Sequence, residues 1–133
     1  AYIQSWAQSA PSRIQFSIGP ARHWDAATGK YADTPARQSD VYVFCLLAHQ
    51  DQATIDPLNI AQWCFYVLAT RVLDEKMPTQ KTISLSALLA LNPIEATRGA
   101  IRRAVAQAAV DRQNPRPGGG ARCRPATNRC PAV

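Results

Sequence analysis

The sequence predicts an α/β domain, a partial mixed β-sheet of about three strands flanked by helices and followed by a disordered C-terminal tail. Three observations carry this. Two apolar runs, Asp40-Val41-Tyr42-Val43-Phe44-Cys45-Leu46-Leu47-Ala48 and Gln62-Trp63-Cys64-Phe65-Tyr66-Val67-Leu68-Ala69, are short and rich in β-branched and aromatic residues. They lack polar alternation and are bounded by turn formers, the pattern of strands buried on both faces. A third run, Arg13-Ile14-Gln15-Phe16-Ser17-Ile18, alternates apolar and polar residues and reads as a half-buried strand. Near the C-terminus an alanine-rich stretch shows helical spacing instead.

Residues 2–9 have helix-compatible spacing of Tyr2, Ile3 and Trp6, and Pro11 ends that segment. The strand at 13–18 is closed by Gly19-Pro20. Residues 21–39 form a long loop with turn chemistry at Asp25 and at Thr28-Gly29-Lys30, and Trp24 and Tyr31 are expected to pin it to the body. The first central strand spans about residues 39–48 and the second about 62–70. The polar connection between them holds an Asp56-Pro57 turn and has no helical periodicity, so an antiparallel pair is expected. Residues 71–78 make a short excursion around Val72 and Leu73. Ser84 caps a short helix that stops at Asn92-Pro93. Residues 94–110 then read as one amphipathic helix with Ile94, Ile101, Val105 and Ala108 on a face, weakened by Gly99.

At 133 residues the chain is about one domain, here divided into residues 1–111 and a tail at 112–133. Of the net charge of +6, the tail carries +5, because its five arginines face no acid. Residues 1–111 carry ten basic and nine acidic groups. The basicity is therefore weak evidence for a nucleic-acid face on the fold itself. No run approaches the roughly 18 apolar residues of a membrane span. With no signal-like start, Cys45 and Cys64 inside strands and Cys123 and Cys130 in the tail are expected as reduced thiols in a cytoplasmic setting. The chain has no initiator Met and reads as a fragment or a processed piece of something longer.

The order Tyr2-Ile3-Gln4-Ser5-Trp6, Ile14-Gln15-Phe16-Ser17-Ile18, Arg37-Gln38-Ser39-Asp40-Val41-Tyr42-Val43-Phe44-Cys45 and Gln62-Trp63-Cys64-Phe65-Tyr66-Val67-Leu68 resembles bacterial proteins of the PD-(D/E)XK restriction-endonuclease-like superfamily. The resemblance covers about residues 2–92. It implies a restriction-endonuclease-like sheet in a metal-dependent DNA endonuclease of restriction or defence type. In such enzymes an acid and the Glu of a Glu-x-Lys hold Mg²⁺ beside the scissile phosphate, and the Lys orients the attacking water or neutralises the developing charge. By the same resemblance that strand falls just ahead of Tyr2, and no Glu-x-Lys occurs in this sequence, so the chain is expected to be inactive as it stands. Only accessory positions carry over. Gln4 is placed like the glutamine that many of these nucleases use beside the catalytic carboxylates, and Trp6 near the same edge. Arg37 and Gln38 enter the central strand as candidate phosphate contacts. The plain alternatives are an exposed helix residue for Gln4, a core anchor for Trp6 and solvated side chains for Arg37 and Gln38.

Other constellations are weaker. His49, Asp51 and Asp56 share a loop without a second His or Cys, and a solvated connection is the better reading. Cys123 and Cys130 miss the usual zinc spacing, and Gly118-Gly119-Gly120 is not followed by a Lys and a hydroxyl residue as a phosphate loop requires. Two further readings stand beside the nuclease fragment. One is a non-catalytic nucleic-acid-binding module gripping through the tail. The other is a structural or interaction remnant that self-associates through an unpaired sheet edge.

Overall fold

The computed structural model describes residues 13–49 and 51–110. In chain order the elements are β1 (Gln15–Ser17), β2 (Trp24–Asp25), β3 (Lys30–Tyr31), β4 (Val41–Leu47), β5 (Trp63–Ala69), α1 (Thr70–Lys76), β6 (Thr82–Ser84), α2 (Leu85–Ala90), β7 (Ile94–Ala96) and α3 (Ile101–Val110). Single 3₁₀ turns sit at Ile60–Gln62 and Arg98–Ala100.

The two apolar runs pair as expected. β4 and β5 are antiparallel over seven residues each, from Val41 opposite Ala69 to Leu47 opposite Trp63. The inward hydrogen bonds come from the even-numbered residues of β4. Beyond its two ends, Thr70 N–H donates to the Asp40 carbonyl at 2.9 Å and Ala48 N–H donates to the Gln62 carbonyl at 3.0 Å. β7 lies on the far side of β5, giving the order β4-β5-β7. Every ladder among the described residues is antiparallel, so the expected mixed sheet is corrected. Among its described residues the β4–β5 connection holds a 3₁₀ turn at Ile60–Gln62 and no α-helix to carry a parallel crossover, and the chain folds straight back.

Side-chain alternation divides the core by face. Phe44, Leu46, Cys64, Tyr66 and Leu68 join Ile18, Leu73, Ile83 and Leu88 on one side, beneath β1, β6, α1 and α2. Phe65 and Val67 join Ala96, Ala104 and Ala108 on the other, beneath α3. The small alanines let α3 approach the sheet closely. β5 is thus covered on both faces, while β4 keeps Val43 39% exposed.

The strand at 13–18 forms as β1, but it pairs with β6 rather than with the central sheet, with Phe16 opposite Ile83. Phe16 meets Phe44 edge-to-face at 5.2 Å, which attaches this small ladder to the sheet. The long loop contains the β2–β3 hairpin. Gly29 takes φ +63, and Asp25 accepts from the backbone N–H of Ala27 and the hydroxyl of Thr28, both at 2.9 Å. Trp24 and Tyr31 do not pin this loop to the body. They pack edge-to-face on each other at 5.0 Å and stay exposed, because cross-strand pairing satisfies them locally.

Ser84 caps α2, its hydroxyl accepting from Ala87 N–H at 3.3 Å, and Asn92 ends the segment in the left-handed region at φ 52. Residues 94–110 are not one helix. Ile94–Ala96 pairs with β5, and helix begins only after Thr97. The edge of β5 offers these residues hydrogen-bond partners that a helix beginning beside Pro93 lacks. Cys64 is disulfide-bonded, contrary to the expected thiol. No helix among the described residues is long and apolar enough to cross a membrane. Gln4, Trp6 and the segment 112–133 lie outside the described residues.

Candidate functional site

Arg37 reaches its place through the neck of the long loop, where Ala21 and Ala36 form an antiparallel bridge. Its Nε donates to the Ile18 carbonyl at 2.7 Å and Nη1 to Asp74 Oδ1 at 2.6 Å. Nη2 donates to the carbonyls of Met77 at 2.7 Å and Gln80 at 3.2 Å. The side chain is 1% exposed, so its fork binds the end of β1, the C-terminal end of α1 and the approach to β6 to one another. A cation at the last carbonyls of α1 also complements the helix dipole. Arg37 is therefore turned to protein acceptors, away from any phosphate in solvent. Gln38 is exposed, and its Nε2 donates to the Ala36 carbonyl at 3.1 Å and the Ala21 carbonyl at 3.5 Å, closing the same neck.

Beside Arg37 lies a polar cavity of about 220 Å³ lined by Ser39, Asp40, Thr70, Arg71 and Asp74 as well. Thr70 is buried at the β5–α1 junction. Its hydroxyl donates to the Ser39 carbonyl at 2.5 Å and fixes the floor. Asp74 is already engaged by Arg37. Arg71 differs from its neighbours. The residue is half-buried, and its Nε is buried with no hydrogen-bond partner among the described residues. A buried guanidinium N–H left unsatisfied is costly, and an incoming oxyanion would satisfy it. The sequence reading passed over Arg71 as part of a surface excursion. The signal available was a cation in the first turn of a helix, where the dipole disfavours it.

The loop after β4 is locked by its own side chains. Thr54 hydroxyl donates to Asp51 Oδ2 at 2.8 Å and lies 2.7 Å from His49 Nε2, which donates to it in this arrangement. With its proton on the carboxylate side, Thr54 is not activated by His49, so the trio is a turn lock. The Thr54 hydroxyl, the Ala53 N–H and nearby His49 hold the Asp51 carboxyl below its usual range. Gln62 accepts from Asp56 N–H at 2.8 Å and donates to the Thr54 carbonyl at 3.0 Å. Among the described residues no three His, Cys, Asp or Glu side chains converge to hold a metal ion.

Comparison with protein-family models, with curated proteins and with solved structures finds no match for this chain.

Proposed function

We propose that this chain is a DNA-binding piece of a metal-dependent endonuclease of restriction or defence type, binding without cutting on its own. The nuclease parentage rests on the resemblance carried by the β4 and β5 sequences, with Mg²⁺ and the catalytic acids belonging to the intact enzyme. The observation that supports DNA contact is the Arg71 guanidinium, which lines an open polar cavity and whose buried Nε has no hydrogen-bond partner among the described residues. A backbone phosphate supplies the acceptor that this N–H lacks, and binding through it weakens with salt.

Fluorescence anisotropy with a labelled DNA duplex at low salt tests the reading. The chain binds, and Arg71→Ala weakens binding about tenfold or more, the worth of a charge-assisted hydrogen bond. Arg71→Lys recovers only part, because a point charge does not reproduce the fork. A plasmid assay in Mg²⁺ shows no nicking. Equal binding by Arg71→Ala removes the cavity from the interface. If deleting 112–133 instead abolishes binding, the arginine-rich tail is the grip.

A further inference from the structure

Residues 1–111 are near neutral in sum, yet their positive charge is unevenly placed. The stretch from Thr97 through α3 to Val110 carries Arg98, Arg102 and Arg103 and no acid. All three are exposed, and none makes a hydrogen bond or ion pair among the described residues. Arg102 and Arg103 do not serve α3 itself, because cations in its first turn oppose the helix dipole and no acid there offsets them. At the foot of α3 an open cavity of about 550 Å³ lies between the 3₁₀ turns at Ile60–Gln62 and Arg98–Ala100. Its walls combine the exposed Leu58 and Ile60 with the half-buried Trp63, Arg98 and Gly99. The Trp63 indole N–H already donates to the Pro57 carbonyl at 3.0 Å, so the side chain gives the cavity carbon surface. Two acids close to this cavity in sequence are turned elsewhere. Asp56 accepts from the Leu58 N–H at 2.9 Å, and Glu95 lies with Tyr66 on the sheet face opposite α3.

We infer that this cavity receives a base of single-stranded nucleic acid, with the neighbouring phosphates held by Arg98, Arg102 and Arg103. An unstacked base offers a flat apolar face and carries its charge on the backbone beside it. The aromatic and aliphatic wall next to unpaired guanidinium groups matches that distribution. The bases of a duplex stay stacked and leave such a cavity empty. A lipid surface fits less well, because Ile101, Ala104, Val105 and Ala108, the apolar face of α3, are packed against the sheet and do not enter a bilayer. The lining residues are not those of the Arg71 cavity, and the inference does not rest on nuclease parentage.

Fluorescence anisotropy of the full chain with a short labelled oligothymidylate at low salt tests this. The strand binds, and Arg98→Ala combined with Arg102→Ala weakens binding about tenfold or more while the circular dichroism spectrum stays unchanged. Gly99→Glu gives a similar loss by placing an anion at the cavity. A Cβ at Gly99 meets no other atom within 4 Å, so this variant keeps the fold. An abasic strand of equal charge binds about tenfold less tightly, since it has no base to place in the cavity. Arg71→Ala leaves single-strand binding unchanged, which separates failure of this inference from failure of the duplex reading. Strand binding that survives both α3-side variants overturns the inference, as does equal binding by the abasic strand. It is overturned as well if the oligonucleotide does not bind and the variants instead abolish binding to anionic vesicles or to an acidic peptide.

Discussion

Arg37 shows how one side chain holds separate segments together. Its bonds reach Ile18, Asp74, Met77 and Gln80, which belong to three parts of the chain, and the side chain is out of solvent. Arg37→Ala leaves three carbonyls without this donor and is expected to cost about 3 kcal/mol or more, measured by urea unfolding. Arg37→Lys restores little, since an ammonium does not span acceptors in three directions. The sequence marked Arg37 as special but not as internal, because a one-dimensional reading does not show which carbonyls surround a guanidinium. A second residue-scale effect is the phenol of Tyr66. Burial pushes its pKa above the ordinary 10.0, and Glu95, directly opposite on β7, adds to the rise. A raised folded pKa contributes stability that is complete below the unfolded value and is lost as pH climbs through the folded one. Unfolding free energy should therefore fall above pH 10, and Tyr66→Phe should flatten that fall.

At the scale of elements, α2 is the clearest case of local sequence agreeing with tertiary demand. Ser84 caps it, Leu88 points inward with no exposure, and Leu89 lies outside. Leu88→Ala should cost about 2–5 kcal/mol in urea unfolding. Leu89→Ala should stay within about 0.5 kcal/mol, as exposed sites do. β7 is the opposite case. Ile94-Glu95-Ala96 has spacing suited to the helix that follows, yet it pairs with β5 because that strand has an edge to fill. β6 is hidden for the same reason. Three residues, Thr82–Ser84, become a strand only because β1 is beside them.

For the whole molecule, the cavity at Arg71 exists because the pairing of β4 with β5 brings residues 39–40 beside the start of α1. The sequence by itself determined the α/β character, the antiparallel pairing of β4 with β5, the strand at β1 and the cap at Ser84. Those features follow from periodicity, turn residues and capping, which act between near neighbours in the chain. Only the tertiary structure decided the antiparallel sense of the remaining ladders, the inward turn of Arg37, the self-contained Trp24–Tyr31 pair and the position of Arg71 beside an open cavity. Each of these depends on which backbone groups or side chains distant segments bring together, and that information exists only once the layers have packed.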